Sequence, residues 1–143
     1  MRTINKEGLQ LIKDSEGLVL KTYKCPAGIP TVGFGHTGPD VHMGETITVE
    51  RATELLVMDL AKFEQGVAEL CPVATDNEFS ALVSFAFNLG LESLKTSTLR
   101  RMHNEGDHAG AAAQFARWNK AAGRVLPGLT KRRAAEAALY AKP

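Results

Sequence analysis

The sequence predicts an α+β protein that is predominantly helical and has one small β-hairpin near its N-terminus. Apolar residues recur at helical spacing through most of the chain, and only residues 18–38 contain short β-prone runs separated by turn residues. With 143 residues, of which 44% are hydrophobic and 23% charged, the chain is long enough to bury one core unaided. We therefore expect a single domain.

The first predicted element is an amphipathic helix that ends at Gly17. Its apolar face is formed by residues spaced three and four apart, and Glu16 continues this face one turn after Ile12. We expect the Glu16 carboxylate to lie at the inner edge of the face, partly shielded from water. The residues that define the face are Ile4, Gly8, Leu11, Ile12 and Ser15.

A hairpin is predicted from strands at residues 19–25 and 29–34, joined through Pro26-Ala27-Gly28. This turn would bring Cys25 and Thr31 together. Turn geometry and a close approach to the backbone both account for the glycines that follow, which are Gly33, Gly35 and Gly38.

The rest of the chain is predicted to be helical, and its helix boundaries follow from capping and stop residues. Thr48 is a candidate N-cap, and Thr75 with Glu78 matches a capping box. The predicted helices cover residues 49–70, 79–89, 98–105, 108–121 and 130–141. We expect a small lobe at residues 1–47, a connecting helix at 49–70 and a helical lobe at 73–143, with a cleft suited to an extended substrate.

Composition argues against several classes of protein. The two cysteines form no metal-binding motif, so we expect neither a metal nor a cofactor. The N-terminus lacks the apolar core of a signal peptide, and no run has the roughly 18 apolar residues of a membrane span. We expect a monomer without stable membrane insertion, made in the cytoplasm.

Charge is distributed unevenly along the chain. Residues 1–99 contain eight basic and thirteen acidic residues, whereas residues 100–143 contain nine basic and three acidic ones. Solvated helix faces explain this asymmetry, although a basic section also suits an anionic partner. We expect no nucleic-acid partner, because few aromatic residues lie among these charges and no nucleic-acid motif is present.

Three polar residues of the small lobe are candidates for chemistry: Glu16, Cys25 and Thr31. Their spacing alone is weak evidence, because a free cysteine is usually a small buried apolar residue and threonine is common in strands. The residues around them are more specific. Glu16 is followed after eight residues by Cys25, which is followed after five residues by Thr31.

This spacing resembles the catalytic signature of the phage-lysozyme family of glycoside hydrolases, which is a Glu, then an Asp or Cys, then a Thr. The resemblance extends over nearly the whole chain. It includes Glu16-Gly17-Leu18, Tyr23, residues 28–38, residues 48–60, Phe85-Ala86-Phe87-Asn88-Leu89-Gly90, Phe115, Trp118, Gly128-Leu129, Arg132-Arg133 and Glu136. It implies a lysozyme-like, two-lobed fold.

The resemblance implies roles for individual residues. Glu16 matches the general acid, which protonates the glycosidic oxygen. Cys25 matches the second catalytic position, where many relatives carry Asp, and Thr31 matches the residue that helps to hold the attacking water. A thiol is a poorer base than a carboxylate, so Cys25 either positions water or acts as a nucleophile. Retaining and inverting reactions both remain open.

Four further residues are assigned by the resemblance. Phe87 and Asn88 match positions that bind the sugar, where an amide beside an aromatic ring suits an acetamido group. His36 matches a histidine that pairs with an aspartate on the long helix, here Asp59. We interpret this pair as structural and expect it to raise the pKa of His36.

The implied function is a phage endolysin that hydrolyses the β-1,4 bond between N-acetylmuramic acid and N-acetylglucosamine in bacterial peptidoglycan. It would reach the wall after another protein opens the membrane. One alternative is a non-catalytic glycan-binding or phage structural component with the same fold. Others are a lytic transglycosylase and a thiol hydrolase of peptide cross-links that uses Cys25 and His36. Whether Cys25 pairs with Cys71 is not decided by the sequence.

Overall fold

The computed structural model describes all residues, Met1–Pro143, and has an α+β fold that is predominantly helical. Its helices are α1 (Lys6–Glu16), α2 (Val49–Leu70), α3 (Asp76–Leu89), α4 (Leu91–Lys95), α5 (Thr98–Asn104), α6 (His108–Gln114) and α7 (Pro127–Ala141). Its strands are β1 (Val19–Lys24), β2 (Pro30–Gly33), β3 (Lys120–Ala121) and β4 (Arg124–Val125), which form two antiparallel hairpins.

The chain divides into two compact units. Lys13–Ala61 form one, which we call the hairpin unit, and Met1–Ile12 with Lys62–Pro143 form the other, the helical unit. The predicted small lobe began at residue 1, but Met1–Ile12 cluster with the helical unit. One physical reason is that the start of α1 packs on α3: a Cβ on Gly8 would lie 2.7 Å from the Cβ of Ser80.

The hairpin unit begins at the last turn of α1, where Gly17 adopts φ +75°. Strands β1 and β2 pair as predicted, with Tyr23 opposite Thr31, and the register shifts between Val19 and Tyr23. A small apolar core lies beneath, formed by Val32, Val41 and Leu55 with Ile47 packed against it. The Thr48 hydroxyl accepts the amide of Arg51, which confirms the predicted N-cap of α2.

Helix α3 lies in the core of the helical unit. The Thr75 hydroxyl accepts the Glu78 amide, and the Glu78 carboxylate accepts the Thr75 amide, so the predicted capping box is confirmed. Phe79, Leu82 and Phe85 are at most 1% exposed, which agrees with a helix that is apolar nearly all round.

The predicted helix over residues 108–121 is wrong in its second half. Helix α6 ends at Gln114, a short 3₁₀ turn covers Phe115–Arg117, and β3 and β4 then form a hairpin. Ala122 and Gly123, between the strands, adopt φ values of 52° and 78°, which are typical of a tight hairpin turn. Packing explains the change, because the Phe115 and Trp118 rings lie 5.8 and 5.3 Å from that of Phe85.

Other boundaries also differ from the predictions, and helix α3 begins at Asp76 instead of residue 79. A short helix, α4, follows Gly90 and was not predicted. Helix α7 begins at Pro127 instead of residue 130, because proline is well accommodated in the first turn of a helix.

Candidate active site

Cys25 lies at the end of β1, next to a tight turn. Its carbonyl accepts the Gly28 amide at 2.7 Å, and its amide donates to the Ile29 carbonyl at 3.0 Å. Gly28 adopts φ +79°, a conformation that glycine reaches without strain. The turn thereby directs backbone N–H groups toward the Cys25 sulfur.

These N–H groups lower the pKa of the Cys25 thiol. The amide of Ile29 contributes most, the amide of Ala27 adds to it, and the hydroxyl of Thr31 hydrogen-bonds to the sulfur. Hydrogen bonds to the thiolate favour the charged form. Cys25 is half-buried, so solvent reaches a thiol that ionises more readily than usual.

Thr31 is the predicted neighbour of Cys25, and the structure brings the two side chains into hydrogen-bond contact. Thr31 is only 5% exposed, and its hydroxyl also donates to the Ile29 carbonyl at 2.9 Å. A threonine hydroxyl has one proton and two lone pairs. It can therefore accept from the neutral thiol while donating to Ile29, or donate to the thiolate instead.

Glu16 is the last residue of α1 and is half-buried. Its Oε1 lies 3.3 Å from the position that a Cβ on Gly35 would occupy, and Gly35 itself adopts φ +80°. Gly35 therefore serves both purposes considered from the sequence, since it supplies a left-handed turn and leaves room for the carboxylate.

His36 contacts two carboxylates within the hairpin unit. Its Nδ1 is 2.7 Å from Oδ2 of Asp59, as the resemblance implied, and its Nε2 is 3.0 Å from Oδ2 of Asp40. Burial acts to lower the pKa of His36, but the hydrogen bonds that the ring donates to Asp59 and Asp40 outweigh it, and the net shift is upward. The bond with His36 lowers the pKa of Asp40. Sequence analysis did not identify Asp40, although it is only four residues after His36.

Phe87 and Asn88 lie near the end of α3 in the helical unit, and both are half-buried. The Phe87 ring packs edge-on against Phe63, with 5.3 Å between ring centroids. Oδ1 of Asn88 accepts a hydrogen bond from Arg133 at 2.7 Å. The guanidinium can only donate, so the amide nitrogen of Asn88 must point the other way.

Arg133 belongs to a buried polar network in the helical unit. Its Nε lies 2.6 Å from Oε1 of Glu136, and both residues are fully buried. Ser84 donates to Glu136, and Arg132 contacts both Ser84 and Glu136. The burial of both arginines against Glu136 argues against a role for them in attracting an anionic partner.

Both cysteines are free thiols. Cys71 is fully buried at the end of α2, and burial raises the pKa of its thiol to about 11. Cys71 therefore lacks the properties of a reactive thiol.

A helical fold with a Glu, Cys and Thr in this arrangement points to one family. The chain belongs to the phage lysozyme family, whose model matches residues 13–136. It is 46% identical over 143 residues to the endolysin of Bacillus phage PZA, covering 96% of this chain and 54% of that one. It thus spans about half the length of this relative and of the endolysin of Bacillus phage B103.

Other relatives match along their whole length. The endolysin of Salmonella phage P22 is 39% identical over 145 residues, covering 98% of this chain and 99% of that one. A solved P22 lysozyme mutant superposes with a TM-score of 0.92 at 37% identity, covering 99% of this chain and 100% of that one. These matches confirm the lysozyme-like fold.

Proposed function

We propose that the protein is a peptidoglycan-degrading phage endolysin that hydrolyses the β-1,4 bond between N-acetylmuramic acid and N-acetylglucosamine. Membership of the phage lysozyme family supports this function. A relative that this chain matches over nearly its full length is named an endolysin, which supports it further. The observation that carries the proposal is the hairpin unit, which contains both a half-buried carboxylic acid, Glu16, and the hydrogen-bonded pair of Cys25 and Thr31.

Glu16 is the proposed general acid. It donates its proton to the glycosidic oxygen as the bond to the anomeric carbon breaks, and the sugar passes through an oxocarbenium-like transition state. The space above Gly35 supports this role, because it holds the carboxylate against the backbone without a side chain in between.

Cys25 and Thr31 are proposed to act on the anomeric carbon. In a single displacement, the thiolate and the Thr31 hydroxyl hold the attacking water, and the product has inverted configuration. In a double displacement, the Cys25 sulfur bonds to the anomeric carbon, and water then replaces the sulfur with overall retention. The lowered pKa of Cys25 supports both routes, because each requires an ionised or readily ionised thiol. NMR of the first-formed anomer distinguishes them.

Phe87 and Asn88 are proposed to bind an N-acetylated sugar. The contact with Arg133 supports this role for Asn88, because it leaves the amide N–H groups available to donate to an acetamido carbonyl. The half-buried Phe87 ring offers an apolar surface for a sugar face or an acetamido methyl.

We further propose that the chain is made in the host cytoplasm, acts as a monomer and binds no nucleic acid. Peptidoglycan lies outside the cytoplasmic membrane, so another protein would have to open that membrane before the enzyme meets its substrate. No helix in the structure is both long enough and apolar enough to traverse a bilayer. Expression with and without a membrane-permeabilising protein tests the release step, and lysis only with it is the expected result.

The decisive experiment is mass spectrometry of purified peptidoglycan after digestion by the wild type, Glu16→Gln and Glu7→Gln. Glu7 is a matched control because it lies on the same helix but is engaged in an exposed ion pair with Lys142. We expect new reducing-end muramic acid from the wild type and Glu7→Gln, and a loss of about 100-fold or more in Glu16→Gln.

Other products would contradict the proposal in recognisable ways. Anhydro ends would indicate a lytic transglycosylase, and new amines without new reducing ends would indicate a peptide hydrolase that uses Cys25. No product from the wild type would indicate a non-catalytic glycan-binding or structural component.

A further inference from the structure

Three helices of the helical unit bring one carboxylate and two imidazoles together. Glu78 lies in the first turn of α3, His103 in the last turn of α5, and His108 at the start of α6. Oε2 of Glu78 is 2.7 Å from Nδ1 of His108. The hydroxyl of Tyr140 bridges the imidazoles, 2.6 Å from Nδ1 of His103 and 3.3 Å from Nδ1 of His108.

The ligand-type atoms of Glu78, His103 and His108 all lie within 4.8 Å of one another. Ligands held about 2.0–2.2 Å from a tetrahedral Zn²⁺ are about 3.5 Å apart, so small movements of these side chains would bring the three atoms to that spacing. His108 has room to move because its side chain is 49% exposed. The same exposure gives an ion a path from solvent.

His103 already has the tautomer that a metal ligand needs. Its Nε2 is 2.8 Å from the carbonyl oxygen of Val73. A carbonyl can only accept, so Nε2 carries the proton and the lone pair of Nδ1 faces the cluster. A backbone carbonyl in this position is the usual outer partner of a zinc-bound histidine. His103 is only 2% exposed, so the packing around it holds the ring in this orientation.

Glu78 is oriented by its role in the capping box. Its Oε1 accepts the Thr75 amide at 2.9 Å, while Oε2 faces His108. The side chain is only 10% exposed, so it reaches the cluster in one fixed direction. One oxygen is thus used by the helix cap, and the other, which pairs with His108, is the oxygen proposed to bind the ion.

We propose that Glu78, His103 and His108 form a Zn²⁺ site that joins α3, α5 and α6. Imidazole and carboxylate ligands suit this ion, and a water or the Tyr140 hydroxyl completes four-fold coordination. The site is structural, and its expected effect is to hold the helical unit together. Sequence analysis did not identify this site, because Glu78 is far from the two histidines in the chain. The four residues between His103 and His108 are nevertheless a spacing that zinc-binding histidines use.

His36 provides a useful contrast, since it also contacts two carboxylates. Asp59 is on its Nδ1 side and Asp40 on its Nε2 side. The two ring nitrogens point in different directions, so one ion cannot bind His36 together with both aspartates. A single zinc per chain is expected, because Glu78, His103 and His108 are the one group that brings three ligand atoms together.

The test is calorimetric titration of the chelator-treated protein with ZnCl₂, for the wild type, Glu78→Gln, His108→Ala and His42→Ala. Glu78→Gln keeps an oxygen for the Thr75 amide, so the helix cap survives. His42 is an exposed histidine of the hairpin unit, which makes His42→Ala the matched control. Circular dichroism checks that each variant is folded.

We expect one Zn²⁺ per chain in the wild type and in His42→Ala. In Glu78→Gln and His108→Ala the affinity should fall by about 100-fold or more, since even outer partners of zinc ligands contribute about 10- to 100-fold. Co²⁺ should give the strong visible absorption of tetrahedral coordination in the wild type and in His42→Ala only. Equal zinc binding by all four proteins, or no stoichiometric binding by the wild type, would overturn the proposal.

Discussion

The hairpin unit and the helical unit each contain one cysteine, and the two thiols have pKa values shifted in opposite directions. In the hairpin unit, turn amides lower the pKa of Cys25, whereas in the helical unit burial raises that of Cys71. Histidines differ in the same sense, because carboxylates raise the pKa of His36 and burial lowers that of His103. The hairpin unit thus favours the charged forms of Cys25 and His36, and the helical unit favours the neutral forms of Cys71 and His103.

One buried charge cluster departs from this contrast, and breaking it should have the largest effect on stability. Glu136→Gln leaves Arg133 buried without its carboxylate, which should lower the free energy of unfolding by about 3–5 kcal/mol. Urea denaturation measures this loss. The control is Glu105→Gln, which removes an exposed pair with Arg101 and should cost less than about 1 kcal/mol. Equal losses would show that burial does not govern the network.

The difference between the thiols should appear directly in their reactivity. Burial raises the pKa of Cys71 to about 11, whereas hydrogen bonds hold the pKa of Cys25 below its ordinary value. At neutral pH, the alkylation of Cys25 by iodoacetamide should therefore be faster by about 100-fold or more. Peptide mass spectrometry after timed labelling measures both rates in one sample. Comparable rates would refute the assignment of Cys25 as the activated thiol.

The contribution of Thr31 to this activation should be smaller. Thr31→Val removes the hydroxyl that contacts the sulfur and should slow the alkylation of Cys25 by about tenfold, the value of one hydrogen bond to a charged group. Thr31→Ser keeps the hydroxyl and should restore most of the rate. A rate unchanged in Thr31→Val would assign the activation to the amides of Ile29 and Ala27 alone.

The His36 pair should give the smallest effect, and one that depends on pH. The pKa of His36 is raised above its ordinary 6.5, so its contribution to stability is full below 6.5 and disappears as pH rises through the raised value. Asp59→Asn should cost about 1 kcal/mol or less near pH 5–6 and nothing at alkaline pH, because Asp59 is 32% exposed.

Thermal unfolding across pH measures this dependence. Asp40 acts in the opposite sense, because its pKa is lowered and its contribution is lost as pH falls through that value. We expect little change in turnover in Asp59→Asn. A large loss of turnover with unchanged stability would instead place His36 in the reaction.

Local signals were sufficient to predict much of the fold. The caps at Thr48 and Thr75 and the turn at Pro26-Ala27-Gly28 depend on residues close in sequence, and each is present in the structure. The second hairpin was missed because Ala122 adopts a positive φ for which alanine gives no signal. Gly123, the next residue, is as typical of the end of a helix as of a hairpin turn.

Contacts between residues far apart in the chain limited how much of the site could be predicted from the sequence. The turn predicted the meeting of Cys25 with Thr31, whereas the contact of His36 with Asp59 was identified only through family resemblance. Ser84 and Glu136 are 52 residues apart, and no local pattern pairs them. Glu78, His103 and His108 meet only because three helices and their caps fix their positions.

Asn77 connects the first and last segments that the structure describes. Its Oδ1 accepts from Asn5 at 2.9 Å, and its Nδ2 donates to the carbonyl oxygens of Lys142 and Pro143 at 3.2 Å. Lys142 also pairs with Glu7 at 2.7 Å. The fold thus holds these segments side by side, so a covalent cross-link between them would mainly restrict the unfolded chain and would make thermal unfolding harder.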